Sequence, residues 1–129
     1  MLRTAVAGCF VAVLLAAPFA LAHHSIASYD LVHGTILDGA VAAFAWENPH
    51  VHILLNVTAE DGITIEHWTI ELESPSILRR LGWEKDTLKE GDRISVTGGR
   101  AKNGSFNLRA ARVEVPGGRV LPALPPPEN

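Results

Sequence analysis

Sulfur is nearly missing from this 129-residue chain: its one cysteine and its one methionine, Cys9 and Met1, both precede residue 23. From His23 onward there is no disulfide to supplement a core, and no thiolate or thioether of the kind that Cu(I) and electron-transfer copper sites use. Positive charge is missing just as selectively. Between His23 and Leu78 there is no Lys or Arg, while Asp30, Asp38, Glu47, Glu60, Asp61, Glu66, Glu71 and Glu73 contribute −8; from Arg79 to the end, ten basic residues face six acidic ones. A phosphate backbone is held by a concentrated basic surface, so nucleic acid is excluded as the expected partner. Catalytic signatures are absent too. Ser25, Ser28 and Ser74 lie in no nucleophile elbow, and no glycine-rich phosphate loop occurs, so no catalytic residue is assigned and the chain is not read as an enzyme.

One long uncharged run exists, from Thr4 to Ala22, preceded by Arg3 and ending in Ala20-Leu21-Ala22. A basic start, an apolar middle, Pro18 and a small-x-small end describe a secretory signal over 1–22, cut after Ala22; a bilayer-spanning anchor is the rival reading. Cys9 precedes most of the apolar run instead of following it, which argues against lipidation. The expectation is a periplasmic protein with no membrane attachment once the signal is removed. Taking 22 residues from 129 leaves 107, enough for one domain with a modest core, which must be held by packing alone.

That domain reads as all-β with one short helix. Residues 23–30 form an extended polar lead-in, and Val32–Trp46 is a strand that Gly34 and Gly39 allow to bend. Pro49 interrupts it. From Val51 to Thr58 the pattern alternates, with Val51, Ile53, Leu55 and Val57 on one face and His50, His52, Leu54 and Asn56 on the other. Glu60-Asp61-Gly62 turns into a third strand over Ile63–Leu72. Ser74 is placed to cap a helix over 75–81, with Pro75 at its first position, Ile77, Leu78 and Leu81 on one face and Gly82 at its end. Trp83 is expected to plug the core. Strands at Arg93–Gly99 and Ser105–Val115 follow, joined through Asn103-Gly104, and Pro116-Gly117-Gly118 makes a last turn. Three strands, a helix and two strands match the order of an OB-like five-stranded Greek-key β-barrel over 23–121, with residues 122–129 as a disordered Pro-rich tail; a β-sandwich shares the same periodicity. The expected core is Val51, Ile53, Leu55, Val57, Trp68, Ile70, Ile77, Leu81, Ile94 and Val96.

All six histidines, His23, His24, His33, His50, His52 and His67, sit in the acidic half, where the field favours cations. Signal cleavage would leave His23 as the amino terminus, whose amine and ring Nδ1 close a chelate on one metal ion. His24 offers a competing mode through the amine, the intervening amide nitrogen and its own ring, which suits tetragonal Cu(II). His50 and His52, two apart on a strand, project from one face with stems roughly 7 Å apart. The bland alternatives are a floppy terminus, a turn residue at His50, an exposed strand residue at His52 and a packed ring at His67. Glu71, in Trp68-Thr69-Ile70-Glu71-Leu72, is the acid with apolar neighbours.

Taken together, H-H-S after the signal, W-E-N-P-H at Trp46–His50, W-T-I-E-L-E-S-P at Trp68–Pro75, R-R-L-G-W at Arg79–Trp83 and K-E-G-D at Lys89–Asp92 resemble a family of small exported bacterial proteins classed only as a domain of unknown function. The resemblance implies a periplasmic, OB-like β-barrel and assigns no activity or cofactor. An aromatic residue commonly follows H-H-S in that family, where Ile26 stands here. The reading that follows is a binding module capturing a divalent transition metal, Cu(II) before Zn(II), through His23, His24, His50 and His52. A second reading is a module that binds a periplasmic protein or small ligand through Trp46, Asn48 and Glu71 with His50. A third and weaker one pairs Glu71 with His50 as acid and base.

Overall fold

The alternation over Val51–Thr58 becomes strand β2, His52–Thr58, whose inward residues Ile53, Leu55 and Val57 are buried, as is Val51 just before it. The structure, a computed structural model, describes residues 24–127. The proposed signal, its cleavage site, His23 and residues 128–129 lie outside the described residues. β1 runs over Tyr29–Ala45, β3 over Ile65–Glu71, β4 over Arg93–Ala101, β5 over Asn107–Glu114 and β6 over Val120–Pro122; two short helices, α1 at His24–Ala27 and α2 at Pro75–Arg80, complete the elements.

The sheet order is β3-β2-β1-β4-β5-β6, and a further parallel pairing sets Thr69, Ile70 and Glu71 of β3 beside Asn107, Leu108 and Arg109 of β5. All other pairings are antiparallel. The ring of strands is possible because β1 serves two neighbours in turn: Tyr29–Ala40 pairs with β4, and Gly39–Ala45 with β2. Gly39 sits at the changeover, where an added Cβ would come 2.4 Å from the Asn56 carbonyl oxygen. Only glycine lets the two strands approach so closely there.

The hairpin between β2 and β3 forms as the D-G pair predicts. Gly62 takes φ +71°, and the Asp61 carboxylate accepts from the backbone N–H groups of Ile63 and Thr64 at 2.9 and 2.8 Å. The Thr64 hydroxyl, together with these two backbone donors, holds the Asp61 carboxyl below its usual range.

Four expectations are corrected. The lead-in is not extended: α1 occupies His24–Ala27 and β1 already begins at Tyr29. Ser74 makes no side-chain cap; its carbonyl accepts from Leu78 N–H at 3.0 Å, while its hydroxyl meets that of Ser76 at 3.1 Å. The helix turns Pro75 and Leu78, three residues apart on one face, inward and leaves Ile77 and Leu81 only partly covered. The sheet has six strands, not five. Pro122 ends β6, Leu121 and Ala123 are buried, Ala123 N–H donates to the Ala111 carbonyl at 2.8 Å, and the Pro122 carbonyl accepts from Trp83 Nε1 at 2.8 Å. The buried indole needs an acceptor, and it draws the start of the Pro-rich segment onto the fold. Trp83 itself is fully buried, as expected of a plug.

The remaining core residues, Val51, Ile53, Leu55, Val57, Trp68, Ile70, Ile94 and Val96, are buried as the pattern requires, joined by Leu72, Leu88, Leu108 and Val113. Ile53 and Ile70 are Cα partners across β2 and β3 and both are 0% exposed. Truncating either to alanine leaves a cavity in a core that no disulfide reinforces. Ile53→Ala and Ile70→Ala are each expected to cost about 2–5 kcal/mol in urea unfolding; costs below about 1 kcal/mol at both would place them outside the core.

Candidate functional site

Leu108-Arg109-Ala110 reads as a buried strand segment with one charge in it, and the structure buries all three. Arg109 is 1% exposed, so its guanidinium must find anions inside the protein. The parallel register supplies one, since Glu71 is its Cα partner on β3. Arg109 Nη1 donates to Glu71 Oε1 at 2.9 Å and to the Leu72 carbonyl at 2.8 Å, while Nη2 donates to Glu73 Oε1. Arg109 Nε has no partner among the described residues.

Glu71 gathers two more groups. His50 Nδ1 lies 2.8 Å from its Oε1, and the Tyr29 hydroxyl donates to its Oε2 at 2.9 Å. Burial, and then the bond to Glu71, push the Tyr29 phenol up to about 12. His50 is brought there by the continuation of the β2–β3 ladder. Val51 N–H donates to the Glu73 carbonyl at 3.1 Å and its carbonyl accepts from Leu72 N–H at 2.9 Å, so the residue before Val51 is delivered to the end of β3. The side chain of His50 is 31% exposed, against 13% for Glu71. His52 is the Cα partner of Glu71 and shares the face that alternation assigns to His50.

The predicted residues thus divide into groups. His50 bonds to Glu71 at one end of the β2–β3 pair, where His52 is the Cα partner of Glu71. His24 starts α1, five residues before Tyr29, and its side chain, like all of His23, lies outside what is described. Trp46 turns toward the body of the protein, 5.7 Å from Phe44 between ring centroids and with the Arg79 guanidinium 5.6 Å from its own. Its indole N–H is buried without a partner among the described residues, whereas Asn48, in a cis Asn48–Pro49 peptide, is exposed. His67 is held apart by Asn56, whose Oδ1 lies 2.7 Å from its Nδ1, and His33 pairs with Asp30 at 2.9 Å on an exposed bulge of β1. Among the described residues no three His, Cys, Asp or Glu side chains are grouped to hold a metal ion.

Sequence reasoning missed Tyr29 and Arg109. Each had a signal: Tyr29 is the chain's only tyrosine, and Arg109 is a lone charge between Leu108 and Ala110. Neither signal named its partner, because the contacts join residues 38 and 42 positions apart.

A structural likeness links this arrangement of strands to the mitochondrial single-stranded DNA-binding protein Rim1 of S. cerevisiae, with TM-score 0.50 and 9% identity over 65% of this chain and 93% of that one. The fold is mostly antiparallel β and OB-like. TiaS, in a complex with an isoleucine tRNA and ATP, matches with TM-score 0.43 and 14% identity over 64% of this chain and 18% of that one. No curated protein sequence matches the chain. Residues 11–109 match DUF6152, and the chain belongs to that family of unknown function.

Proposed function

We propose that the protein is an exported, five-stranded OB-type Greek-key barrel, with β6 added at its edge, that captures a divalent transition metal, Cu(II) in preference to Zn(II). On this reading residues 1–22 are removed on passage to the periplasm, and the amine and ring of His23 chelate the ion with His24, His50 and His52. The observation that supports this reading is that one carboxylate contacts both His50 and Tyr29, the residue that leads back toward the proposed terminus. Glu71 bonds to His50 at 2.8 Å and to Tyr29 at 2.9 Å, and Tyr29 lies six residues after the proposed terminus. Six residues of chain reach at most about 21 Å even when extended, and α1 shortens that span. The ligand chemistry agrees: imidazole and amine nitrogens without sulfur, in a segment carrying eight carboxylates and no Lys or Arg from His23 to Leu78, suit a borderline dication. The same charge pattern keeps the reading away from nucleic acid, although the Rim1 likeness is to a DNA-binding protein.

Exposed Glu47, Asn48 and Pro49 at the β1–β2 turn favour a second reading, a module that binds a protein or small ligand by that loop. The two readings part on metal titration of the processed protein. Cu(II) affinity is expected to fall as pH drops through roughly 6 to 5, where protons compete for imidazole and amine nitrogens. Acetylating the terminal amine removes the tight step, His50→Ala weakens it further, and His67→Ala has little effect. Binding no tighter than that of an unrelated histidine-bearing peptide would leave the loop-binding module as the better account.

The Tyr29 anchor has its own signature. A phenol held near 12 when folded and about 10 when unfolded keeps its proton longer in the native state. The stability it contributes is complete below pH 10 and is lost as pH rises through 12. Urea midpoints measured across pH 9–12 are expected to fall more steeply for the wild type than for Tyr29→Phe.

A further inference from the structure

We infer that Glu71 is a positioning residue that decides which nitrogen of His50 is offered to a metal, with Arg109 and Tyr29 holding it in that role. The consequence rests on the metal reading above; the arrangement and its test do not. Glu71 Oε1 accepts from Arg109 Nη1 at 2.9 Å while facing His50 Nδ1 at 2.8 Å, and Oε2 accepts from the Tyr29 hydroxyl at 2.9 Å. A carboxylate beside a guanidinium that cannot lose its proton is an acceptor only. Its neighbour Nδ1 must then carry the hydrogen, because two lone pairs would otherwise face each other across 2.8 Å.

A neutral imidazole has one N–H, so His50 keeps its lone pair on Nε2. Free histidine in water favours the opposite tautomer, and the preference here is imposed by the protein. The imposition is firm because Glu71 has nowhere to turn. Arg109, its side chain 2% exposed, also grips Glu73 and the Leu72 carbonyl, and Tyr29 occupies the second oxygen of Glu71. With both oxygens engaged, Glu71 acts behind the histidine instead of beside it, as carboxylates do behind metal-bound imidazoles. The half of the ring bearing Nε2 belongs to a side chain that is 31% exposed. His50 therefore presents a fixed Nε2 donor before any metal arrives.

The test is the protonation pattern of His50 in the metal-free, processed protein, read from long-range proton–nitrogen correlation spectra above pH 7. The expected result is hydrogen on Nδ1 and a bare Nε2 in the wild type, reverting toward the Nε2–H form in Glu71→Ala. Tyr29→Phe, which removes a single hydroxyl, should give a smaller drift in the same direction and serves if the Glu71 variant does not fold. Titration with Zn(II) alone should then move the Nε2 signal. Glu71→Ala should weaken Zn(II) about 10–100-fold in the wild type and not at all in a His50→Ala background. Hydrogen on Nε2 in the wild type overturns the inference. Hydrogen on Nδ1 with no binding of Zn(II) or Cu(II) supports Glu71 as the residue that orients His50 and overturns the metal reading alone.

Discussion

An arginine with 1% of its surface exposed is the constraint from which much of this structure follows. Arg109 cannot shed its proton, so the fold must bring it anions. The parallel β3–β5 pairing does so by setting Glu71 opposite it, and Glu73 closes the second arm. Those contacts tie the end of β3 to β5 at the point where the sheet returns on itself. Through Leu72 and Val51 they fix the entry to β2, and through Tyr29 the start of β1. Four elements distant in sequence share one charge cluster. Such a cluster is a poor source of net stability, since desolvation offsets most of its Coulomb gain, yet losing one partner costs about 3–5 kcal/mol because the others remain buried. Its contribution is to specify where His50 and Tyr29 stand.

Most of the fold could be read locally. The alternation over Val51–Val57 assigns the buried face of β2 residue by residue, and the D-G, N-G and P-G-G turns mark hairpins because glycine alone takes the positive φ they need. Local reading stops where long-range partners decide. Ser74 looks like a cap by type, and only its observed pairing with Ser76 shows otherwise. Pro122 looks like the start of a loose tail, and only the buried Trp83 indole explains why its carbonyl is held. Ile77 and Leu78 are equivalent in a hydrophobic pattern. The face that α2 buries carries Pro75 and Leu78, three residues apart, and leaves Ile77 off it.

The candidate site was half legible for the same reason. His50, His52 and Glu71 could be singled out by residue type and by their alternation on strands. That His50 and Glu71 would touch depends on the antiparallel β2–β3 register, in which His52 faces Glu71 and Val51 bonds across to Leu72 and Glu73. By alternation Glu73 shares a face with Glu71, and that face reads as readily solvated as functional. Glu73 becomes part of the site because Arg109, arriving from β5, needs a second anion.

The charge asymmetry of the chain takes on structural meaning at this cluster. The segment from His23 to Leu78 carries all the histidines and no cation of its own, so a carboxylate there has no basic neighbour in sequence. The cation that neutralises Glu71 and Glu73 comes from the later, basic half, and it comes buried. An exposed lysine at the same place would sit in solvent among the donors and repel an incoming dication. Arg109, buried against the carboxylates, spends its charge on Glu71 and Glu73 and not in solvent beside His50. On the metal reading this division separates the two electrostatic requirements: a buried arginine anchors the carboxylates, and the partly exposed histidine admits a positive ligand.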